Sequence, residues 1–164
     1  MGQNNKVMIS ECEIIMKKIN RVLLLSSLLS FASLSYAAGD YFSCNTIKGR
    51  VSLKISSDKI VYEMKSSKGN IFTYSSPGPE YSGFLYGHYT RFQTDYMNVS
   101  FHQGGFKYTV FSNYEDGDSH KGVAVVNLKT KKEYTYECKD EGIDKLSDLM
   151  GKLQCDKDGA LGCQ

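Results

Sequence analysis

From residue 50 to 56 apolar and polar positions alternate without a break. Val51, Leu53 and Ile55 fall on one side, and Arg50, Ser52, Lys54 and Ser56 on the other. A period of two sends successive side chains to opposite faces of an extended chain, so this stretch predicts a strand with one buried and one wet face. Residues 59–65 repeat the pattern after a Ser57-Asp58 turn. Residues 71–74 follow the polar run Ser66-Ser67-Lys68-Gly69-Asn70. A shorter strand over 41–44 precedes them. Three more are predicted at 83–93, 96–102 and 106–114, with turns at Thr94-Asp95 and Gln103-Gly104-Gly105. A polar loop over 115–122 leads to a last hairpin, 123–128 and 133–139, about Lys129-Thr130-Lys131-Lys132.

The period then changes. Ile143, Leu146, Leu149, Met150 and Leu153 recur at helical spacing, and Asp144 suits a helix start. One short helix is expected over 143–154, packed on the sheet. No connection before residue 139 is long enough for a parallel crossover. The expected fold is therefore all-β. It is an antiparallel meander of eight to nine strands closing into a small barrel or strongly curled sheet, with one short C-terminal helix. Residues 38–139 form the β domain, and 140–164 pack on it as a helix and a disulfide loop.

The N-terminal pattern is of another kind. Met16-Lys17-Lys18-Ile19-Asn20-Arg21 is basic, residues 22–34 carry no charge, and Ser35-Tyr36-Ala37 places small residues where a signal peptidase reads. This is the plan of a secretory signal peptide, about 16–37, with cleavage after Ala37 and translation starting at Met16. The apolar run is too short for a bilayer core, which takes roughly 20 residues. Residues 1–37 are accordingly read as a removed leader, and the location as periplasmic or secreted. Cys44 does not read as a lipidation site, because Asp40, Tyr41 and Phe42 stand where small residues are needed.

Removing the leader changes the charge. Four of the 20 basic and two of the 18 acidic residues precede residue 38, which leaves 16 of each sign. A neutral domain with interspersed signs lacks the basic footprint of a nucleic-acid binder and the polybasic patch of a membrane-surface protein. Neither nucleic acid nor a membrane span is expected.

Four cysteines remain in the mature chain, and an even number in an exported domain reads as a disulfide framework. Cys44 lies in the first strand-like segment and Cys138 in the last, so a bridge between them would tie the two ends of the sheet. Cys155 and Cys163 would then close a small ring. Zinc sites use close C-x-x-C pairs, and the chain has none.

Candidate chemistry is sparse. His88, His102 and His120 have no spacing that brings two together, and Asp116-Gly117-Asp118 and Asp156-Lys157-Asp158-Gly159 lack the glutamate of a full calcium loop. No G-x-S-x-G elbow occurs. No catalytic residue, metal or cofactor is assigned, and the chain is not read as an enzyme. Residues 82–111 hold nine aromatic side chains. Met97, Val99 and Phe101 share one face of a strand, as do Phe106, Tyr108 and Val110, so much of this density is core. The remaining tyrosines suit a protein-binding face. Both prolines fall in Ser75-Ser76-Pro77-Gly78-Pro79-Glu80, which must be a rim loop because proline donates no ladder hydrogen bond.

Phe42-Ser43-Cys44 near the mature start and Ser82-Gly83-Phe84-Leu85-Tyr86 after the proline loop carry a family resemblance. In order and in motif they resemble the secreted inhibitors of animal-type (C-type) lysozyme from Gram-negative bacteria. Those inhibitors are small periplasmic barrels whose Ser-Gly-x-x-Tyr loop enters the lysozyme cleft. The resemblance covers about half of the mature domain. Leu85 stands where that family has a basic or small polar residue, and residues 106–164 extend past its usual end. It implies that Ser82 and Tyr86 are contact residues. With neighbouring Tyr81 and Tyr89 they make the expected partner-binding set, the partner being another protein such as a lysozyme-like hydrolase or a toxin. The alternative is a small-ligand carrier with a hollow barrel interior.

Overall fold

The computed structural model describes residues 39–163, and the leader expected over 1–37 lies outside them. Eleven strands run in chain order: β1 (Gly39–Thr46), β2 (Gly49–Ser56), β3 (Lys59–Ser66), β4 (Ile71–Ser75), β5 (Phe84–Arg91), β6 (Thr94–Gln103), β7 (Phe106–Glu115), β8 (Asp118–Asn127), β9 (Glu133–Glu137), β10 (Ile143–Asp144) and β11 (Gln154–Cys155). They form two sheets, of order β10-β1-β2-β3-β4 and β11-β5-β6-β7-β8-β9. Among the described residues the strand pairings are antiparallel except β11 on β5, which is parallel, as is an isolated bridge from His88 to Cys163.

The alternation read from the sequence decides which face is buried. Val51, Leu53 and Ile55 of β2 are buried, as are Met97, Val99 and Phe101 of β6. Between the sheets an aromatic pile fills the interior. Phe101 stacks on Tyr74 at 4.6 Å and on Tyr108 at 5.0 Å, both nearly parallel. Tyr62 meets Phe101 at 5.0 Å, Phe84 meets it at 4.9 Å, and Phe72 stacks on Tyr108 at 5.1 Å. Rings from β3 and β4 thus interleave with rings from β5, β6 and β7, so apolar area and ring geometry stabilise the same contact. Burial, with Tyr108 nearby, pushes the Tyr62 phenol well above its ordinary range.

The expected barrel does not close. The two sheets meet without a continuous ladder on either side. On one side the chain between β4 and β5 carries Pro77 and Pro79, which cannot continue a ladder. On the other, the edge of β1 is already taken by β10, with Phe42 opposite Asp144 and Ser43 opposite Ile143. A local stitch replaces the missing ladder. Cys44 of β1 is bonded to Cys138 just after β9, with Cα atoms 5.6 Å apart. Beside it the Lys139 N–H donates to the Asn45 carbonyl at 2.8 Å. Asp140 accepts from the Asn45 backbone N–H at 2.9 Å and from its side-chain amide at 2.6 Å. These two hydrogen bonds, the backbone one first, hold the Asp140 carboxyl below its usual range.

The expected helix over 143–154 is also absent. Ile143 enters a strand against Ser43, and only Leu146–Leu149 forms a 3-10 turn. Twelve residues flanked by Gly142 and interrupted by Gly151 make a marginal helix at best. A side chain at Gly142 (φ +54°) would run into the Ser43 carbonyl, so that glycine brings β10 close to β1. Spacing of three, which suits a 3-10 turn, buries both Leu146 and Leu149.

Two turns differ from expectation. The β5–β6 turn is Phe92-Gln93 rather than Thr94-Asp95, which begin β6. Phe92 stands 88% exposed at its tip, while Thr94 is buried and its hydroxyl accepts from Arg91 Nε at 3.1 Å. The polar stretch 115–122 is no loop: Asp116-Gly117 makes a two-residue turn, and Asp118, Ser119 and His120 pair with β7 as the wet end of β8.

Candidate partner-binding loop

The chain leaves β4 through Ser76, which is fully buried and whose N–H donates to the Ile60 carbonyl at 2.9 Å. Residues 77–83 then fold back on themselves. The Ser82 N–H donates to the Pro79 carbonyl at 3.0 Å, and between them Glu80 (φ +52°) and Tyr81 (φ +56°) are both left-handed. This is the geometry of a type I′ turn, which normally takes Asn-Gly. A bulky tyrosine there is a backbone outlier costing on the order of 1–2 kcal/mol. The loop holds it by other means. Tyr81 packs against the core, and its carbonyl accepts from the Phe84 N–H at 3.2 Å. The space a side chain would need at Gly83 is filled by the Pro77 ring and the Tyr74 hydroxyl, each 3.1 Å away. Gly78 leaves room for the Ser82 hydroxyl. Pro77, Pro79, Glu80 and Gly83 face solvent, and Ser82 is half-buried.

The four expected contact residues lie in three places. Tyr81 and Ser82 share the loop. Tyr86 lies on β5 opposite Val99 and packs against the core. Tyr89, three residues further, is sent by the pleat to the other face, where it meets Tyr96 at 6.3 Å. The Tyr96 phenol is raised from its usual range, first by its hydrogen bond to Glu115. The loop brings Tyr81 and Ser82 together, and no single surface joins Tyr86 to Tyr89.

One polar pair lies outside the expected contact set. His88 Nε2 lies 2.7 Å from Asp95 Oδ1, with the histidine side chain only 12% exposed. Placing the turn at Thr94-Asp95 hides this pair; with the turn at Phe92-Gln93, His88 falls opposite Met97 and Asp95 becomes its diagonal neighbour. Asp95 also lines a groove of about 200 Å³ with Met97, Ser112, Tyr114, Asp144, Leu146 and Ser147. There the Ser112 hydroxyl donates to Asp144 at 2.6 Å, so it is directed at a carboxylate and not at the histidine. His120 sits on β8 with Nδ1 3.7 Å from Glu137. Among the described residues no group of three or more His, Cys, Asp or Glu is placed to hold a metal. Cys155 and Cys163 form the second disulfide. Among the described residues no helix is long and apolar enough to cross a membrane.

Comparison with protein-family models, with curated proteins and with solved structures finds no match.

Proposed function

We propose that the chain is an exported protein-binding module whose 76–83 loop engages and neutralises a partner protein, a cell-wall hydrolase of the lysozyme kind or a toxin. The observation that carries this reading is the left-handed Glu80-Tyr81 pair. Backbone strain persists only where the surroundings over-determine it, and it gathers at recognition loops because a preformed loop loses little entropy on binding. Three neighbours support the same conformation here: the Pro79 carbonyl, the core under Tyr81, and the Pro77 ring over Gly83. In this reading Ser82, Glu80 and the two prolines touch the partner. Tyr81 and Tyr86 hold the loop and β5 from beneath, and Tyr89 belongs to another surface. The resemblance to lysozyme inhibitors at Ser82 points to the same loop, whereas Tyr86, its other expected contact, lies on β5 beyond it. The aromatic pile between the sheets fills the space a carrier would need for cargo.

The test is to titrate animal-type lysozyme acting on bacterial cell wall with the mature protein. Saturable inhibition by wild type and its loss in Ser82→Arg, with an unchanged unfolding midpoint, support the proposal. Absence of inhibition removes lysozyme as the partner, and inhibition undiminished in Ser82→Arg removes the loop as the site.

A further inference from the structure

Each sheet ends on one five-residue strand with no strand paired to its outer side among the described residues: β4 in one, β9 in the other. The opposite ends, β10 and β11, are two residues long. Both five-residue strands place a threonine between two aromatic residues, Ile71-Phe72-Thr73-Tyr74-Ser75 and Glu133-Tyr134-Thr135-Tyr136-Glu137. They differ at the flanks. β9 carries two glutamates there, and β4 carries no charge.

The ladder hydrogen bonds decide which backbone groups each edge offers. At one end of the β3–β4 pair the Ser66 N–H donates to the Asn70 carbonyl at 2.8 Å, and at the other the Ser76 N–H donates to the Ile60 carbonyl at 2.9 Å. Bonded and non-bonded pairs alternate along an antiparallel ladder, so Phe72 bonds Met64 and Tyr74 bonds Tyr62. The N–H and C=O groups of Ile71, Thr73 and Ser75 therefore point away from β3. On β9 the Asn127 N–H to Lys132 carbonyl bond (2.9 Å) and the Cys138 N–H to Lys121 carbonyl bond (2.8 Å) fix the same alternation. There Glu133, Thr135 and Glu137 offer the free groups.

A free edge accepts another strand unless something opposes it. A second copy laid antiparallel on β9 about Thr135 would set Glu133 directly opposite the copy's Glu137, and Glu137 opposite its Glu133. Like charges so placed repel. The same operation on β4 about Thr73 sets Ile71 opposite Ser75, Thr73 opposite itself and Phe72 opposite Tyr74. Ile71, Thr73 and Ser75 then all fall at bonded positions and exchange their free backbone groups with the copy. Phe72 and Tyr74, half-buried at the rim of the aromatic pile, gain cross-strand ring partners, and Ile71, 58% exposed, is covered. Pro77 has no N–H to lengthen the ladder, so the pairing ends with β4. We propose that β4 is a self-association edge, through which two copies of the chain join antiparallel about a two-fold axis at Thr73. An uncharged, self-complementary register selects a second copy over a strand of another protein. This pairing does not rest on the partner-binding reading.

The experiment is sedimentation velocity on the purified protein over a concentration series, comparing wild type with Ile71→Glu/Ser75→Glu and Ile71→Lys/Ser75→Glu. The first variant gives β4 the flanks of β9. The second differs from it only in the sign at position 71, and sets each lysine opposite a glutamate of the copy. Wild type should dimerise as concentration rises. Ile71→Glu/Ser75→Glu should associate about tenfold more weakly, the effect of two directly opposed like-charge pairs, and Ile71→Lys/Ser75→Glu should recover most of that loss. Amide exchange at Thr73 in wild type should slow with concentration, while exchange at Thr135 stays constant. A wild type that remains monomeric overturns the proposal and leaves the edge to a strand of another protein. Dimers undiminished in Ile71→Glu/Ser75→Glu overturn it, because the copies then meet elsewhere. Equal weakening in both variants overturns the register at Thr73, because opposed charges would not be the cause.

Discussion

Phenylalanine is removed from two positions that differ only in environment when Phe101→Ala is set beside Phe92→Ala. Phe101 is 1% exposed and meets Tyr62, Phe84, Tyr74 and Tyr108 with ring centroids between 4.6 and 5.0 Å. Phe92 is 88% exposed at the β5–β6 turn. Truncating a fully buried phenylalanine costs about 3–5 kcal/mol, transfer and cavity together. Losing two near-parallel stacks places Phe101 in the upper half of that range. A domain of this size has roughly 5–15 kcal/mol in all, so Phe101→Ala removes about a quarter or more of it. With a urea slope of about 2 kcal/mol per molar, the midpoint falls by about 2 M. Phe92→Ala should stay within about 0.5 kcal/mol of wild type. The chain has no tryptophan, so tyrosine near-ultraviolet circular dichroism follows the transition; it reports the same pile. A Phe101→Ala loss below about 1 kcal/mol would refute the view that this ring pins the two sheets together.

Three further outcomes follow from the same structure. Cys44→Ser/Cys138→Ser opens a loop with a sequence separation of 94, and chain entropy sets the loss at roughly 4–5 kcal/mol in urea unfolding; a loss near zero would show that the Lys139–Asn45 and Asp140–Asn45 bonds carry the corner unaided. Asp140 has its folded carboxyl lowered by Asn45, so its stabilisation is present above the unfolded value near 4 and disappears as pH falls through the folded one. Wild type should therefore melt above Asp140→Asn at pH 7 and with it near pH 2, and a gap that persists in acid would contradict this. Tyr62 has its phenol raised by burial, so its contribution is complete below the unfolded value of about 10 and is lost as pH rises toward the folded one. Alkaline unfolding, read as tyrosinate absorbance against circular dichroism, should move to higher pH in Tyr62→Phe. No movement, or an earlier transition, would count against burial as the cause.

The strands were legible because period two is both the cause of a half-buried strand and its signature. Val51, Leu53 and Ile55, and Met97, Val99 and Phe101, fall inward as their alternation requires. The cysteine pairing followed from the same reading, since Cys44 and Cys138 begin and end the meander. What stayed hidden depended on distant partners. Ile143 reads as one face of a helix until the free edge of β1 offers it a strand. Closure of the sheet hung on whether β4 could reach β5 past two prolines, which period alone does not report. Phe92 misled through its type, because an apolar residue in an aromatic run suggests strand and it stands instead at a turn tip. The candidate loop was visible as a proline-rich rim, whereas the left-handed conformation of Glu80 and Tyr81 was not, since nothing in those residue types asks for it. The facing of Tyr86 and Tyr89 could have been read from their odd spacing once β5 was placed.

Partner contact through residues 76–83 is the claim on which the functional account turns, and site-specific photo-crosslinking measures it directly. A photoreactive amino acid is placed at Ser82, or at Asp116 in the turn at the other end of the long sheet, and irradiated in cells that produce the protein. The account predicts one discrete covalent adduct from position 82 and none from 116. Adducts from 116 alone, or no adduct from either position, would contradict it.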